Sequence, residues 1–421
     1  MIEPKLRFKA DDGSQFPDWE EKTFNDVADY KKGPFGSALK KEIFVPKSND
    51  TVKVYEQQNA ISKDWKLERY FVTNEYFQLK MKSFAVSGGD IIVSCAGTIG
   101  EMYELPDDAE EGIINQALMR VRIKKSVINS IIFRCVFDKM ISTEGVKISN
   151  GSALKNIPPF ADMKKQSVFV PSLPEQQKIA EFLSTIDTVI AKQKETVSAW
   201  EERKKGVMQK LFNQEVRFKA DDGSDFPEWE EKKLSEIASI HARIGWQNLR
   251  KDEFLTDGNY LLITGTDFCN GRVNFSTCYY VDRERYEQDK NIQVENGTIL
   301  VTKDGTLGKV ALVENLNMPA TLNAGVFAIK VIHADTISKF LYHWLVAPML
   351  LEYASKKSTG GTIKHLNQGI LVDFPVGVPC LAEQQKIADC LSSLDEVIEK
   401  QKATLAAWEE LKKGLLQQMF V

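Results

Sequence analysis

Residues Arg7–Lys22 read RFKADDGSQFPDWEEK, and residues Arg217–Lys232 repeat the segment as RFKADDGSDFPEWEEK. A second segment, EQQKIA, also occurs twice, at Glu175–Ala180 and at Glu383–Ala388. The stretches that lie between these matched segments are of about equal length but barely resemble each other. The sequence therefore predicts one scaffold present in two copies, each of which carries a different binding surface.

Each EQQKIA segment opens a long amphipathic helix. Pro174 is well placed at the start of the first one. Once Gln193 and Lys204 are counted with the apolar residues, the positions recur in alternating steps of four and three, the spacing of a coiled-coil seam. About 38 residues of helix extend ~57 Å, more than a domain of this size would cover. We predict that two helices meet through Ile179, Leu183, Ile186, Ile190, Gln193, Val197 and Trp200 of the first copy, and Ile387, Leu391, Leu394, Ile398, Gln401, Leu405 and Trp408 of the second.

Polar residues occur at matching seam positions in both copies, and they bear on register. Gln193 and Gln401 occupy the same position of the repeat. A buried polar pair disfavours other registers, so we expect these two residues to lie opposite or near each other. An antiparallel pair would also bring the end of the chain near its start. The alternative is that each helix lies on its own domain.

Short apolar runs alternate with Gly, Asn and Asp turns between the repeated segments, a pattern typical of mixed helix and sheet. We predict an α+β fold with two pseudo-repeated domains separated by two long antiparallel coiled-coil helices. The predicted boundaries are residues 1–173 and 214–381 for the domains, and 174–213 and 382–421 for the helices.

Each domain opens with a loop unlike its counterpart, mixing basic, aromatic, glycine and amide or hydroxyl residues. Such residues bind phosphates and base edges, and Gln and Asn can bond adenine bidentately. A solvated turn with basic flanks remains an alternative. The candidate DNA contacts are Lys32, Gly33, Pro34, Phe35, Gly36, Ser37, Lys40, Tyr55, Gln57, Gln58 and Asn59 in the first copy, and Arg243, Gly245, Trp246, Gln247, Asn248, Thr264, Thr266 and Lys303 in the second.

Composition limits the class of protein. The net charge is −4, whereas a protein that binds DNA alone through its phosphates usually has a basic balance. Basic residues must therefore be concentrated on one face, or a partner must supply phosphate contacts.

The six cysteines include no CxxC pair, which favours reduced thiols. No apolar run approaches the ~20 residues of a membrane span, so we expect a cytoplasmic protein without membrane contact.

A search for catalytic motifs finds none that is complete. Walker A and GxSxG motifs are missing, and the four histidines have no metal-ligand spacing. Asn156–Phe160 reads NIPPF, in which Ile157 interrupts the Asn-Pro-Pro-Phe loop of amino-methyltransferases. We therefore expect no catalytic residue, metal or cofactor in this chain.

Taken together, the pattern resembles the specificity subunit of type I restriction-modification enzymes over almost the whole chain. The resemblance rests on the order of three duplicated features: the Phe-Pro-x-Trp-Glu motif (Phe16–Glu20 and Phe226–Glu230), the boundary motif Leu-Pro-Glu-Gln-Gln-Lys-Ile-Ala (Leu173–Ala180), and the long helix. The second copy departs by reading Leu381-Ala382-Glu383. The Gly-Pro-Phe-Gly-Ser and Ala-Arg-Ile-Gly-Trp-Gln loops are similar to recurring recognition-domain types of that family.

The resemblance implies a non-catalytic subunit that reads an asymmetric, gapped site in double-stranded DNA. It also implies two methyltransferase subunits docked on the helices and two restriction/translocase subunits, with S-adenosylmethionine, ATP and magnesium bound by those partners. Two readers on the same face of a duplex would be centred about one turn, ~10 base pairs, apart. The alternative is a non-catalytic coiled-coil adaptor with two peptide- or sugar-binding domains.

Overall fold

The structure, a computed structural model, describes residues 4–148, 160–245, 248–304, 306–357 and 366–420. The chain divides into two compact units. Unit 1 comprises Met1–Ala191 and Ala407–Val421, and unit 2 comprises Lys192–Ala406. Each unit therefore contains one globular domain together with a part of each long helix.

In the part of unit 1 that the structure describes, ten strands and five shorter α-helices precede the long helix. The strands are β1 Glu20–Thr23, β2 Ala28–Lys32, β3 Thr51–Tyr55, β4 Tyr70–Thr73, β5 Ala85–Val86, β6 Ile91–Ser94, β7 Met102–Glu104, β8 Gly112–Ile114, β9 Leu118–Ile123 and β10 Ser167–Val170. The helices are α1 Phe24–Val27, α2 Gln57–Ser62, α3 Asn74–Tyr76, α4 Ser130–Ile148, α5 Phe160–Lys165 and the long helix α6 Leu173–Phe212, which continues into unit 2.

Unit 2 follows a similar order of elements, with some differences in its short helices and an added hairpin. Its strands are β11 Glu230–Lys233, β12 Ala238–Ala242, β13 Tyr260–Ile263, β14 Phe268–Cys269, β15 Arg272–Val273, β16 Tyr279–Val281, β17 Gln293–Val294, β18 Ile299–Thr302, β19 Val310–Leu312, β20 Ala320–Leu322, β21 Val326–Val331 and β22 Pro375–Val378. Its helices are α7 Leu234–Ile237, α8 Arg283–Glu287, α9 Ser338–Val346, α10 Met349–Lys357, α11 Gln368–Val372 and the long helix α12 Leu381–Met419, which ends in unit 1.

The two units share one topology. The main sheet has the order β2-β9-β6-β7 in unit 1 and β12-β21-β18-β19 in unit 2, where the hairpin β14–β15 extends it. The second sheet has the orders β4-β3-β8-β5 and β16-β13-β20-β17. In both, the central pair is parallel, β3 with β8 and β13 with β20, and the outer pairs are antiparallel. The predicted α+β fold in two copies is therefore confirmed.

Each main sheet buries the alternate residues of its strands against helices. In unit 1, Ile91, Val93 and Val121 pack with Phe133 and Phe137 of α4. In unit 2 the equivalent sheet residues pack with α9, through Phe340, Leu341, Trp344 and Leu345. Smaller apolar clusters lie between the main and second sheets, which explains why the short strands of the second sheet are stable.

The repeated segments form an ion pair that fixes the start of each long helix to its domain. In unit 1 the Glu175 carboxylate is fully buried. It accepts hydrogen bonds from Arg7, at 3.0 Å from Nε and 2.8 Å from a terminal nitrogen, and from Trp19 Nε1 at 3.2 Å. Arg7 also donates to the carbonyl of Pro17 at 2.7 Å. A bidentate arginine–carboxylate pair of this kind is directional as well as strong.

Unit 2 builds the same arrangement from the second copy. Arg217 donates to the buried Glu383 carboxylate at 3.1 and 2.8 Å, and Trp229 Nε1 donates to it at 3.0 Å. The Arg217 guanidinium also donates to the carbonyl of Pro227 at 2.6 Å. The Arg, Trp and Glu of the repeated segments therefore have a structural role in both units.

The glutamine that follows each of these glutamates fixes the helix to a neighbouring loop. Gln176 Nε2 donates to the carbonyls of Val127 and Pro171 at 2.9 and 2.8 Å, and its Oε1 accepts from the Asn129 amide at 2.7 Å. Gln384 makes the equivalent three bonds in unit 2, at 2.8 Å each. The recurrence of EQQKIA is explained by these buried bonds.

The two long helices contact each other and run antiparallel. Gln193 Nε2 donates to Gln401 Oε1 at 2.7 Å and to the Gln401 carbonyl at 3.0 Å. Further along, Lys204 pairs with Asp395 at 2.5 Å in unit 2. The prediction that Gln193 and Gln401 lie together is confirmed, and the alternative of two separate helices is wrong.

In unit 1 the ion pair Lys412–Asp187, also 2.5 Å long, is the residue-for-residue counterpart of Lys204–Asp395. The amide of Leu6 donates to the carbonyl of Gln418 at 3.2 Å, so the end of the chain does lie near its start.

The predicted seam residues divide into two groups. Ile179 and Leu183 belong to the core of unit 1, and Ile387 and Leu391 to the core of unit 2, so these four also hold the helices to the domains. Leu394 is partly buried against the core of unit 2, and Trp200, Leu405 and Trp408 are half-buried. The seam residues that are buried without belonging to either domain core are Ile186, Ile190, Val197 and Ile398.

His343 of α9 makes the stability of unit 2 sensitive to acid. Its ring is 1 % exposed, with Nε2 3.2 Å from the Ser392 hydroxyl. Burial, reinforced by Lys204 and Lys339, lowers the pKa of His343 to about 3. Asp395 lies 3.9 Å from Nδ1 and favours the charged ring, but the cost of burying that charge is larger.

Because the unfolded chain binds this proton near pH 6.5 and the folded one only near pH 3, stability falls as the pH is lowered through this window. We expect His343 to contribute about 2 kcal/mol of lost stability at pH 5 relative to pH 8. Urea unfolding of unit 2 at pH 5 and at pH 8 measures this loss of stability. His343→Gln should remove about that much of the pH dependence, and an unchanged slope would contradict the assignment.

Candidate nucleic-acid interface

Each unit carries a loop at the same place in its fold, directly after the first strand of its main sheet. The first loop, residues 33–44, follows β2 and ends where Val45 bridges Phe71. The second loop, of which residues 243–245 and 248–254 are described, follows β12 and ends where Leu255 bridges Tyr280. The flanking strands are equivalent, so the two loops are structural counterparts with different sequences.

The first loop is braced at both ends. The Gly33 amide donates to the Leu118 carbonyl at 2.8 Å. A Cβ at Gly33 would lie 1.8 Å from the Asn115 carbonyl oxygen, so only glycine fits there. The Tyr76 hydroxyl donates to the Ala38 carbonyl at 2.7 Å. These contacts fix the backbone on which the exposed side chains of the loop stand.

Most of the predicted side chains of the first loop point into solvent. Phe35 is 89 % exposed, although burying a phenylalanine normally gains about 1.5–3 kcal/mol. Pro34 and Leu39, in contrast, are buried. The exposed candidates here are Lys32, Phe35, Gly36, Ser37 and Lys40. Their positive charge, hydroxyl group and aromatic ring suit contacts to a nucleic acid.

The second loop is anchored by Arg243. Its guanidinium is 1 % exposed and donates from Nε to the Leu322 carbonyl at 2.9 Å. Desolvation lowers the pKa of this arginine. The predicted direct DNA contact by Arg243 is therefore wrong, because its donors bond the protein. Ile244, Gly245 and Asn248 are exposed, whereas the candidates Trp246 and Gln247 lie outside the described residues.

Two further candidates are corrected by their burial. Tyr55 is fully buried, and its hydroxyl donates to the Glu110 carbonyl at 2.6 Å. Asn59 is also buried: its amide group donates to the carbonyls of Asp64 and Leu67 and accepts from the Glu56 amide. Neither side chain can reach a base in this structure, because both complete internal turns.

The remaining candidates differ in exposure, from the buried Thr264 to the exposed Gln58 and Thr266. Gln57 donates to the carbonyls of Ala96 and Thr98, so its amide orders a neighbouring loop. Gln58 is exposed and donates to Ser62 at 2.6 Å. Three remaining candidates lie in unit 2: Thr264 is buried and bonds Asp267, Thr266 is exposed, and Lys303 is half-buried with Nζ 5.8 Å from the Phe327 ring centre.

Positive charge is concentrated in one segment of unit 1, although the chain is net negative. From β2 to the start of β5, residues 31–84 contain eleven lysines and arginines against six acidic residues. The equivalent residues 241–292 of unit 2 contain seven against eight. This segment of the first domain therefore attracts phosphates more strongly than its counterpart in the second domain does.

The structure adds Arg69 and Lys66 to the candidates, which the sequence analysis missed. Both are exposed and lie over aromatic rings, the Arg69 guanidinium 4.8 Å from the Tyr70 ring centre and Lys66 Nζ 5.8 Å from that of Trp65. In the sequence, an arginine next to a tyrosine is too weak a signal to identify Arg69 as a candidate DNA contact. Cation and ring together can bind a phosphate and stack a base.

The part of the chain that the structure describes contains no group of three or more metal-ligating side chains. None of its described helices has the length and apolar character needed to cross a bilayer.

A family model described as "Type I restriction modification DNA specificity domain" matches the chain twice, over residues 17–198 and 227–407. The chain belongs to this family. Each match covers one domain and part of the long helix that follows it, in agreement with the repeat seen in the sequence.

Named relatives carry the same description. The chain is 22 % identical to the type I restriction enzyme MjaVIII specificity subunit of Methanocaldococcus jannaschii, over 97 % of this chain and 94 % of the relative. It is 27 % identical to the EcoR124I/EcoR124II specificity subunit of Escherichia coli, over 40 % of this chain and 41 % of the relative. The chain is thus a specificity subunit, with a role in DNA sequence specificity, and not a catalytic subunit.

Solved structures support the fold. The chain is similar to the S subunit of a type I restriction-modification system from M. genitalium, with a TM-score of 0.51, 16 % identity, and coverage of 100 % of this chain and 99 % of that one. It is also similar to a chain from a study of complex assembly and conformational transition of the type I R-M system, with a TM-score of 0.55, 16 % identity, and coverage of 96 % and 98 %. Family and fold together favour DNA recognition over the adaptor alternative.

Proposed function

We propose that this specificity subunit reads an asymmetric, bipartite DNA site, each domain recognising one half. The observation that carries the proposal is the pair of equivalent loops with dissimilar sequences on one repeated fold. The first loop and the end of the strand before it present Lys32, Phe35 and Ser37. The second loop presents Ile244 and Asn248 instead. Different side chains on equivalent loops would select different bases, so the two half-sites would differ.

The unread gap between the half-sites would be set by the paired helices. Their register is fixed by the Gln193–Gln401 bonds and by the Lys204–Asp395 and Lys412–Asp187 ion pairs. Readers in successive major grooves on one face would be centred about 10 base pairs apart, which leaves roughly half a turn unread.

Partner subunits complete the proposed complex. We propose that two methyltransferase subunits dock on the helical scaffold and that two restriction/translocase subunits join them. S-adenosylmethionine, ATP and magnesium would be bound by those partners and not by this chain. Partners that share the phosphate contacts would also explain how a subunit with a net charge of −4 works on DNA.

A domain exchange tests the bipartite proposal. Residues 23–172 are replaced by the corresponding domain of another family member, and methylated adenines are mapped across a host genome that expresses the chain with its methyltransferase subunit. We expect one half-site to change completely while the other half and the gap stay the same, because unit 2 and the helix pair are untouched. A change in both halves would contradict the proposal.

A further inference from the structure

The most exposed large apolar side chain of the described structure is Phe35, at 89 %. It stands at the tip of the first loop, where its carbonyl accepts a 2.8 Å bond from the Ala38 amide and so starts a 3₁₀ turn over Gly36–Ala38. A fully solvated phenylalanine is costly in a free protein. A ligand that covers this ring would recover that free energy.

The loop holds the ring outward on a rigid base. Leu39 is buried in an apolar cluster with Val54, Val72 and Phe77. Gly33, which packs too closely to leave room for a Cβ, and the buried Pro34 anchor the loop before Phe35, and Leu39 anchors it after Phe35. Since the neighbours of Phe35 are fixed, little conformational entropy would be lost when the ring is buried by a ligand.

The charges around the ring indicate an anionic partner. Lys32, Lys40 and Lys41 are exposed on the same loop and the strand before it. The wider segment 31–84 has a net charge of +5 by the count of its charged residues. A solvated aromatic ring among lysines matches the flat faces of bases beneath a phosphate backbone, and not the apolar surface of a second protein.

Unit 2 also carries an exposed apolar side chain on its own loop, beside a different anchoring residue. Ile244 is 54 % exposed, and it directly follows Arg243, whose buried guanidinium bonds the Leu322 carbonyl. A different anchor thus holds another apolar side chain outward on the counterpart loop, one residue nearer to the preceding strand. Both loops therefore present an exposed apolar side chain near the preceding strand, although the sequences of the loops differ.

We infer that Phe35 acts as a wedge: it inserts between two adjacent base pairs of the half-site read by unit 1 and unstacks them. This inference rests on the proposed function and extends it, because it assigns part of the specificity to how readily one base step opens. Apolar side chains inserted in this way kink the duplex and favour flexible steps such as TA or CA/TG. Lysines beside the ring would hold the flanking phosphates.

The test uses the full chain in complex with its methyltransferase subunit and a duplex that carries the site mapped by methylation. 2-Aminopurine replaces each adenine of the half-site in turn, except the adenine that is methylated, because a flipped base would also fluoresce. We expect fluorescence to rise at one step with the wild-type chain and not with Phe35→Ala. Affinity for the duplex should fall on the order of tenfold in Phe35→Ala and less in Phe35→Leu, which keeps an apolar side chain.

Ile332→Ala is the control, because this exposed isoleucine follows β21 of unit 2, outside both loops and both long helices; it should leave both readouts unchanged. If the wild-type complex does not prefer the mapped site, the proposed function fails before the wedge is tested. If it prefers the site but Phe35→Ala binds equally well, the wedge is wrong. A second pair of results would also contradict the wedge: no 2-aminopurine step becomes brighter, and replacing thymine by uracil weakens wild-type binding as much as Phe35→Ala does. Phe35 would then pack on a thymine methyl group.

Discussion

Replacing Glu175 by glutamine is expected to destabilise unit 1 by about 3–5 kcal/mol, the usual loss when one partner of a buried ion pair is removed. The Glu175 carboxylate is fully buried and accepts two bonds from Arg7 and one from Trp19. A glutamine amide would offer one oxygen and place an NH₂ group against the guanidinium. The arginine would then keep its charge in a largely buried site after losing its buried countercharge, and the Asp18 carboxylate, 3.8 Å away, is too exposed to compensate for that loss.

The two copies provide the matched controls for this prediction. Amide hydrogen exchange of the full chain, followed peptide by peptide, should show the loss in β2 and β9 for Glu175→Gln, and in β12 and β21 for Glu383→Gln. Glu21→Gln, at an exposed position of β1, should change either unit by less than about 0.5 kcal/mol.

A double replacement separates the ion pair from the shape of the site. Arg7→Met combined with Glu175→Leu removes both charges and keeps apolar volume, so much of the stability should return. A loss below about 1 kcal/mol in Glu175→Gln, or an equal loss in both units, would contradict the structural role assigned to the repeated segment.

The parts of the fold that the sequence predicted are those with a long periodic or duplicated signal. The seam pattern repeats over some 38 residues, and Gln193 and Gln401 occupy one position of the repeat, so their contact could be expected before the structure was known. The duplication also predicted that two dissimilar stretches share one topology, which the equivalent sheet orders confirm.

The role of the repeated segment could not be predicted, because it depends on contacts between distant residues. Arg7 and Trp19 bond a carboxylate more than 150 residues further along the chain. No local pattern reports such a contact. Arg and Trp side chains in a surface-like sequence suggest solvent or a ligand, and only the tertiary structure shows that they bond Glu175.

The candidate interface was predicted by residue type, and type alone does not determine exposure. Tyr55, Asn59 and Arg243 have the chemistry of DNA contacts, but each satisfies its polar groups inside the protein. Phe35 is the opposite case, since an aromatic residue would ordinarily be buried and here is solvated. Strands of two to six residues leave the sequence too little periodicity to decide which side chains face the core.

A lysine at Ile190 or Ile398 is expected to separate the paired helices and abolish assembly with the methyltransferase subunit. Both isoleucines are buried yet belong to neither domain core. Each replacement loses the burial of an isoleucine and places an ammonium group in an apolar seam, at a combined cost of about 3–4 kcal/mol. The domains should survive, because their cores retain all their own residues.

Hydrogen exchange and size-exclusion chromatography with light scattering test this separation of effects. In Ile398→Lys, we expect faster exchange in the middle of α6 and α12, near-native exchange in β12, β18 and β21, and no co-elution with the methyltransferase subunit. Ala403→Lys and Ser198→Lys add the same charge at exposed positions of the two helices, and both should assemble as the wild-type chain does. Normal assembly of Ile398→Lys would mean that the methyltransferase subunit does not need the helix pair. The proposed role of the helices as a scaffold would then be wrong, although their contacts with the domains would remain.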